Sequence, residues 1–198
     1  MIIVGIDYSI NGPAVCVHEG DEWSIDNCTI HFMSTVKKHC VEFFNGQVKG
    51  TYLSTKTEKD MYPQKRYLVR ARWVYDILGR LRYLPLFTYH AIEGYSLNSK
   101  GKIDSIIENA STLKTYLYLG DSTELTMYPP TTIKKFASGK GNADKEKMIL
   151  QFIKETGWDI HDIMTPDVKF GSGPVEDIVD SYFVAKMKFE EVKNEANF

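Results

Sequence analysis

Acidic residues in this sequence stand where an apolar run ends or where a helix would carry them on one face. Asp7 follows the run Ile2-Ile3-Val4-Gly5-Ile6, and Glu93 ends a second apolar stretch. Asp177 and Asp180 are three residues apart, so a helix would present both on one side. Each of these acids, taken alone, is also compatible with a helix cap or a surface charge.

Carboxylates that converge on one site repel one another, so some of them must stay protonated or bind cations. Hard oxygen ligands of this kind suit Mg²⁺ or Mn²⁺. Two such ions about 4 Å apart activate a water and stabilise the leaving oxygen during phosphodiester cleavage. The four acids therefore predict a site for two-metal phosphodiester hydrolysis, provided that the fold brings them together.

The strands predicted in the first half begin with residues 2–6, whose continuous apolar character indicates burial on both faces. Residues 13–18 follow the turn Asn11-Gly12-Pro13, and residues 23–33 form a third run. These three runs predict an antiparallel meander. Residues 34–61 mix short apolar pieces with charged positions, and we interpret them as an insertion that forms a hairpin or a mobile loop.

Helices and strands alternate in the second half. Apolar spacing predicts helices at residues 63–83, 105–119, about 144–156 and 175–192, with a short helix from Thr131 or Thr132 to Phe136. Strands are predicted at residues 86–95 and 124–128, and a loop at residues 158–174. A crossover helix makes the strand at 86–95 parallel to the first strand, so Asp7 and Glu93 would emerge at the same end of the sheet. The predicted fold is a single α/β domain of 198 residues, with a mixed five-stranded sheet flanked by helices.

The helix predicted at residues 63–83 combines an apolar face with a basic one. Its expected core positions are Leu68, Ala71, Val74, Tyr75, Leu78 and Leu81. Its basic positions are Lys65, Arg66, Arg70, Arg72, Arg80 and Arg82, with Asp76 as the one acid between them. This face is either solvated or a surface that contacts phosphates.

Composition sets the class of protein. Hydrophobic residues make up 43% of the chain and charged residues 25%, and the formal net charge is −2, as in an ordinary soluble globular domain. No apolar run is long enough to span a membrane and no signal peptide is visible, so we expect a cytoplasmic protein without a membrane partner.

Two other kinds of site are poorly supported. The three cysteines lack CxxC spacing, which argues against a disulfide framework, and a zinc site that includes Cys16 and His18 would not match the ligand spacing of a compact finger. The segment Gly139-Lys140-Gly141 lacks the spacing of a phosphate-binding P-loop. Asp159, His161 and Asp162 are better explained as polar residues of a surface loop.

Four ordered motifs resemble those of the RuvC family of Holliday-junction resolvases. Gly5-Ile6-Asp7 resembles the first-strand motif of that family, and Ala91-Ile92-Glu93 resembles its second acidic strand end. The segment from Ile133-Lys134 to Asp144-Lys145 resembles its lysine-bearing segment, and residues 174–180 resemble its last-helix D-x-x-D motif. The motifs occur in the order of the family and span nearly the whole chain.

The resemblance implies an RNase H-like fold and the activity of a crossover junction endodeoxyribonuclease, in a form that resembles phage or viral members. It implies metal-binding catalytic carboxylates at Asp7, Glu93, Asp177 and Asp180, with two Mg²⁺ or Mn²⁺ ions per site. Glu176, which adjoins Asp177, is the alternative ligand. Lys134 and Lys145 would lie near the scissile phosphate. A homodimer would match the two-fold symmetry of a four-way DNA junction.

Further residues are candidates for binding branched DNA. These are Arg70, Arg72, Lys135, Lys140 and Tyr95. The bacterial enzymes of the family have a base-stacking aromatic three residues after the second acid, where this sequence has Ser96, and Tyr95 is one residue earlier. The family also has a proline and a glycine after the first aspartate, where this sequence has Tyr8 and Ser9.

Two rival functions remain open. One is an RNase H-like nuclease that acts on DNA flaps or RNA/DNA hybrids, and the other is a non-catalytic DNA-binding accessory protein of recombination. An ATPase of the actin-like branch is disfavoured because the required glycine-rich phosphate loops are missing.

Overall fold

The computed structural model describes residues 1–54, 61–81, 87–95, 103–119, 125–164 and 173–196. Several predicted features lie outside these ranges. They are the basic position Arg82, Ser96, the predicted strand starts at residues 86 and 124, and residues 55–60 of the expected insertion. Within them, no helix is both long and apolar enough to cross a membrane.

A mixed sheet forms the centre of the fold. In the described part of the chain it contains seven strands in the order β4-β5-β3-β2-β1-β6-β7. β1 pairs antiparallel with β2 and parallel with β6, and β2 pairs antiparallel with β3. The predicted α/β class and the meander are therefore confirmed. The strands are β1 (Ile2–Asp7), β2 (Ala14–Glu19), β3 (Cys28–Ser34), β4 (Glu42–Phe43), β5 (Val48–Tyr52), β6 (Thr88–Glu93) and β7 (Leu125–Tyr128).

The sheet has two strands more than the five predicted. β4 and β5 form a hairpin, and β5 pairs parallel with β3, which extends the sheet at one edge. The side-chain amide of Gln47 donates to the carbonyl oxygens of Ile25, Asp26 and Cys28 at 3.1–3.2 Å. Short strands of this kind carry no register signal of their own, so their pairing could not be predicted from the sequence.

Helices cover both faces of the sheet. Those in the described ranges are α1 (Pro63–Leu81), α2 (Ile103–Leu119), α3 (Pro130–Ser138), α4 (Lys145–Thr156), α5 (Ile160–Met164) and α6 (Pro174–Ala196). α5 lies within the segment predicted to be a loop. The backbone N–H of Asp162 donates to the Asp159 carboxylate at 2.9 Å, so Asp159 stabilises the first turn of α5.

Alternation along β1 divides the core between the two faces. Val4 and Ile6 belong to the cluster under α1 and α2, whereas Ile3 belongs to the cluster under α3, α4, α5 and α6. Because side chains alternate along a strand, Gly5 and Asp7 face the same side as Ile3, which is the side of α6. The terminal acid of β1 therefore points toward α6.

α6 crosses β1 at Gly5 with no room for a side chain. A Cβ atom built on Gly5 would lie 2.2 Å from the backbone nitrogen of Ala185 and 2.4 Å from the carbonyl oxygen of Ser181. Neither backbone atom can be moved without moving the helix. Asp180 directly precedes Ser181, so the contact at Gly5 also determines how far Asp180 lies from the end of β1.

The buried face of α1 matches the predicted one in part, since Ala71, Val74 and Leu78 are buried as expected. Leu68 is 44% exposed, whereas Arg70 is only 3% exposed, and one guanidinium nitrogen of Arg70 donates to the carbonyl oxygen of Arg66 at 3.0 Å. Tyr67, Arg70 and Ile77, which were not predicted core positions, are buried as well. The prediction that Arg70 belongs to an exposed basic face is therefore wrong, because the aliphatic part of an arginine can be buried when its charged end reaches a polar group.

The close approach at Gly5 makes a stability prediction. Gly5→Ala should lower the free energy of unfolding by about 1–3 kcal/mol or more, since the added methyl group must push α6 away from β1. Gly79→Ala is a suitable control because a Cβ at Gly79, within α1, meets nothing within 4 Å. This control should be neutral or more stable by up to about 1 kcal/mol. Urea denaturation measures both, and equal stabilities for the two variants would contradict the prediction.

Candidate functional site

Two parallel strands place the first pair of acids side by side. Asp7 is the last residue of β1, and Glu93 is the last residue of β6. Ile6 pairs with Ile92 in the parallel register, so the two acids that follow emerge next to each other at the carboxyl ends of the strands. Asp180 approaches them from α6. One carboxylate oxygen from each of Asp7, Glu93 and Asp180 lies within 4.8 Å of the others.

Asp177, the fourth predicted ligand, lies beside Asp7 but does not belong to this group of three converging carboxylates. It lies one helical turn before Asp180, and its carboxylate hydrogen-bonds with the side chains of Asp7 and Ser9. A Cβ atom on Gly12 would lie 3.5 Å from Oδ2 of Asp177. Asp177 therefore connects α6 to the loop that follows β1, in addition to lying beside Asp7.

Burial and mutual repulsion both act on the four carboxyl groups. Burial, followed by the negative charge of neighbouring carboxylates, raises the pKa of Glu93 to about 8 and that of Asp180 to about 7. Burial likewise raises the pKa of Asp177 to about 6, and it raises the pKa of Asp7 well above the ordinary value. The ammonium group of Lys134 opposes these shifts by lowering the pKa of Glu93 and of Asp180. Near neutral pH the site retains protons unless cations replace them.

The donor atoms of this site fit a hard divalent cation. Asp7, Glu93 and Asp180 contribute only carboxylate oxygens, as Mg²⁺ and Mn²⁺ prefer, and the excess negative charge favours a dication over a proton. His18, by contrast, hydrogen-bonds through Nε2 with the carbonyl oxygen of Glu22 and stacks on Trp23, with 4.6 Å between the ring centroids. Neither Cys16 nor His18 belongs to the carboxylate group that could hold a metal.

Both predicted lysines face the cavity beside the acids. Lys134 lies on α3, and Lys145 is the first residue of α4. The ammonium group of Lys145 forms an ion pair with the carboxylate of Glu176, which also lines the cavity. The sequence indicated Glu176 only as an alternative metal ligand and carried no signal for this pair, because the two residues are 31 positions apart.

The cavity itself has a volume of about 520 Å³. Its acidic side is formed by Asp7, Glu93 and Asp180, and apolar residues of α2 and α4 line it as well. The sequence carried no signal that these apolar residues belong to a site, because their helical spacing is also that of ordinary core positions. They are Ile106, Ala110, Met148 and Ile149.

The candidate DNA-binding residues are distributed differently from the prediction. Tyr95 lines the cavity, two residues beyond Glu93. Lys135 and Lys140 are exposed on α3 and just after it. Arg72 is exposed on α1, where its Nε atom lies 3.8 Å from Oδ2 of Asp76. Arg70 is buried, so it does not lie on the exposed surface with the other candidates.

The two residues after Asp7 contact different elements. The hydroxyl of Tyr8 donates to the carbonyl oxygen of Tyr67 on α1 at 3.3 Å, and the hydroxyl of Ser9 accepts from the backbone N–H of Gly12 at 3.0 Å. Tyr8 and Ser9 thereby tie the end of β1 to α1 and to the following loop.

Comparison with solved structures identifies the fold. A Thermus thermophilus RuvC structure matches with a TM-score of 0.59 and 17% sequence identity, over 98% of this chain and 97% of the other. T. thermophilus RuvC in complex with a Holliday junction substrate matches with a TM-score of 0.60 and 16% identity, over 98% and 96% of the two chains. The yeast mitochondrial Holliday junction resolvase matches with a TM-score of 0.49 and 14% identity, over 98% and 82%. The chain is thus structurally similar to RuvC-like resolvases and has their RNase H-like fold.

Sequence comparisons gave no such match. No protein-family model matches the chain, and no curated protein matches it.

The raised pKa values predict how pH affects stability. The folded state keeps protons that the unfolded state has already lost, so the stability that these groups contribute is fully present below about pH 4. It should be lost as pH rises through the folded-state pKa values of about 6 for Asp177, about 7 for Asp180 and about 8 for Glu93. In EDTA, the melting temperature should fall across this range, and Mg²⁺ should restore it most strongly at the alkaline end.

Asp7→Asn tests the cause of this pH dependence. Removing one charge from the cluster should flatten the pH dependence in EDTA and weaken the stabilisation by Mg²⁺. Glu190→Gln, an exposed change on α6, should leave both unchanged. A wild-type melting temperature that stays constant from pH 6 to pH 8 in EDTA would contradict the role of carboxylate repulsion.

Proposed function

We propose that this protein is a metal-dependent, structure-selective endodeoxyribonuclease that cleaves four-way junctions and other branched DNA. The observation that carries the proposal is the convergence of Asp7, Glu93 and Asp180 at one end of the sheet, with Lys134 and Lys145 beside them. The RNase H-like fold shared with RuvC supports it. The structure of T. thermophilus RuvC holds a Holliday junction substrate.

In this proposal each charged side chain has a defined task. Asp7, Glu93, Asp180 and Asp177 hold two Mg²⁺ or Mn²⁺ ions, which when bound activate a water and stabilise the leaving oxygen. Lys134 lies close enough to lower the pKa of Glu93 and Asp180, so its ammonium group is placed to stabilise negative charge that develops on a phosphate bound there. The carboxylate of Glu176 restricts the position of Lys145.

Binding of the DNA arms is assigned to local positive charge, since the net charge of the protein is only −2. Arg72, Lys135 and Lys140 are exposed and would contact phosphates, which makes the affinity fall steeply with salt concentration. Such contacts carry no sequence information. Selection of branched over linear DNA is therefore assigned to the geometry of the cavity and of the assembly.

The proposed assembly is a homodimer, because two matched cuts in a two-fold symmetric junction require two related active sites. Light scattering of the protein with and without junction DNA measures the assembly. A particle that remains monomeric in both samples and nicks flaps better than junctions would leave a general structure-selective nuclease.

A cleavage assay tests the central claim. With Mg²⁺, the wild-type protein should cut labelled four-way junctions faster than flaps, RNA/DNA hybrids or linear duplexes. Asp7→Asn, Glu93→Gln and Asp180→Asn should each reduce the single-turnover rate by about 10³-fold or more while junction binding persists, since the metal-binding set is incomplete without any one of them. Faster cutting of hybrids or flaps would favour the first rival function.

Controls separate catalysis from folding. Each variant should keep its melting temperature in EDTA, and Asp7→Asn should equal or exceed the wild-type value because repulsion is relieved. A variant that cleaves at the wild-type rate would remove its residue from the proposed metal set. Tight junction binding without cleavage by the wild-type protein would favour a non-catalytic accessory protein.

Lys145 should affect the chemical step more than DNA affinity. Lys145→Ala should lower the single-turnover rate at saturating protein by about 10²-fold, since the proposed contact strengthens as charge develops on the phosphate. Lys147→Ala is the matched control, because Lys147 is exposed on the same helix and pairs with Asp144 at 3.1 Å. A pure loss of affinity, with an unchanged rate at saturation, would make Lys145 a simple phosphate anchor.

A further inference from the structure

One of the two strands beyond the predicted five brings a cation onto the sheet face that α1 covers. Ile6, Val15, His31 and Lys49 are paired one after another across β1, β2, β3 and β5. Directly paired residues share a face of the sheet, and Val15 packs under α1 and α2. His31 and Lys49 therefore lie on the face of α1, which is opposite to the face of α6.

The last turn of α1 adds a second cation beside them. The indole N–H of Trp73 donates to the hydroxyl of Thr51 on β5 at 3.2 Å, which fixes α1 over that strand. Arg80 is seven residues, or about two helical turns, beyond Trp73, so both residues project from the same side of α1. The charges of Lys49 and Arg80 both act on the imidazole of His31, so the three side chains lie close together.

Within the described ranges, these positive charges have no acidic partner. Burial, followed by the charges of Lys49 and Arg80, lowers the pKa of His31 to about 4, and no carboxylate counters this shift. Neither Lys49 nor Arg80 forms an ion pair with another described residue. This includes Glu42, which is opposite Lys49 in the register of β4 and β5. Uncompensated cations that converge in this way destabilise the folded protein unless an anion binds between them.

The position of this cluster relative to the carboxylates indicates which anion that is. The row of paired residues that contains His31 and Lys49 also contains Ile6, the residue before Asp7. Neighbouring strands are about 4.8 Å apart, so the cluster lies about 10–14 Å across the sheet from the end of β1. A strand of duplex DNA advances about 3.4 Å per nucleotide, so this distance corresponds to about three or four nucleotides. Arg80 is exposed, so a ligand as large as a duplex can reach the cluster.

We propose that His31, Lys49 and Arg80 form a second phosphate-binding site, which holds the backbone of one duplex arm about three or four nucleotides from the scissile phosphate. The inference rests on the proposed function, since DNA bound at the carboxylates brings the arm to this edge of the sheet. Lys49 and Arg80 supply the charge, and the neutral imidazole of His31 donates one hydrogen bond. The contact carries no sequence information and instead fixes the direction in which the arm leaves the active site.

Neutralising single phosphates tests this site. A set of four-way junctions, each with one methylphosphonate at a different position along an arm, is titrated with the full-length protein in Ca²⁺ and followed by fluorescence anisotropy. For the wild-type protein, a position about three or four nucleotides from the cut should weaken binding by roughly three- to tenfold, the scale of one contact between charged groups. The double variant Lys49→Gln, Arg80→Gln should lose the effect at that position and keep the effects at all others.

Matched variants separate this contact from a general effect of charge. On the unmodified junction, the double variant should bind roughly tenfold more weakly, and its affinity should depend on salt as if about one phosphate contact were missing. Lys154→Gln, an exposed change on α4 at the other face of the sheet, should bind as the wild-type protein does. Glu42→Gln removes the acid opposite Lys49 and should strengthen binding by about twofold. The double variant should melt no lower than the wild-type protein in phosphate-free buffer, because repulsion is relieved.

The outcomes distinguish this inference from the proposed function. If the wild-type protein cleaves junctions but the double variant binds every junction as Lys154→Gln does, the arm contact is wrong and the nuclease assignment stands. If inorganic phosphate raises the melting temperature of the wild-type protein alone while DNA binding is equal, the cluster holds a small anion and the arm contact is also wrong. If the position-specific effect is present and is lost in the double variant, but the wild-type protein never cleaves, the arm contact stands without the nuclease. If no branched DNA binds at all, both proposals fail.

Discussion

The contact between α6 and β1 at Gly5 is the constraint on which the site depends. Backbone atoms of Ser181 and Ala185 lie where a Cβ of any other residue would stand, so α6 rests directly on the strand. Asp180 immediately precedes this contact, and Asp7 ends the same strand two residues beyond Gly5. Such close packing of a helix on a strand fixes distances between side chains more firmly than a loop could, which a metal site with a few ångströms between its ligands requires.

Burying these carboxylates next to one another destabilises the fold that holds them together. The sheet end places Asp7 and Glu93 side by side, and α6 adds Asp177 and Asp180. After burial, the charges of the other three acids raise the pKa of Asp7, and those of Asp180 and Asp177 raise the pKa of Glu93. Hydrophobic packing on both faces of the sheet must hold these groups together against their repulsion. The ammonium group of Lys134 offsets only part of this repulsion. A bound cation is therefore expected to stabilise the fold, in addition to its part in the proposed cleavage reaction.

The sequence revealed those parts of the structure that follow from local pattern. Asp7 and Glu93 were recognisable because each ends an apolar strand, and parallel strands joined by a crossover bring their ends together. Arg70 was misplaced because helical periodicity assigns positions to a face by residue type, and a buried arginine breaks that assumption. The pairing of β5 with β3, the ion pair of Lys145 with Glu176 and the apolar walls of the cavity depend on tertiary placement, so no local pattern could predict them.

Charge balance links the cations to the DNA. With every group ionised, the five carboxylates of Asp7, Glu93, Glu176, Asp177 and Asp180 face two ammonium groups, Lys134 and Lys145, which leaves three negative charges uncompensated. A bound phosphodiester would add a fourth, and two divalent cations would balance all four. Under the proposed function, a phosphodiester would be repelled by the fully ionised, metal-free site and attracted once two divalent cations are bound. Because such coupling is reciprocal, DNA bound there under the proposed function should also strengthen cation binding.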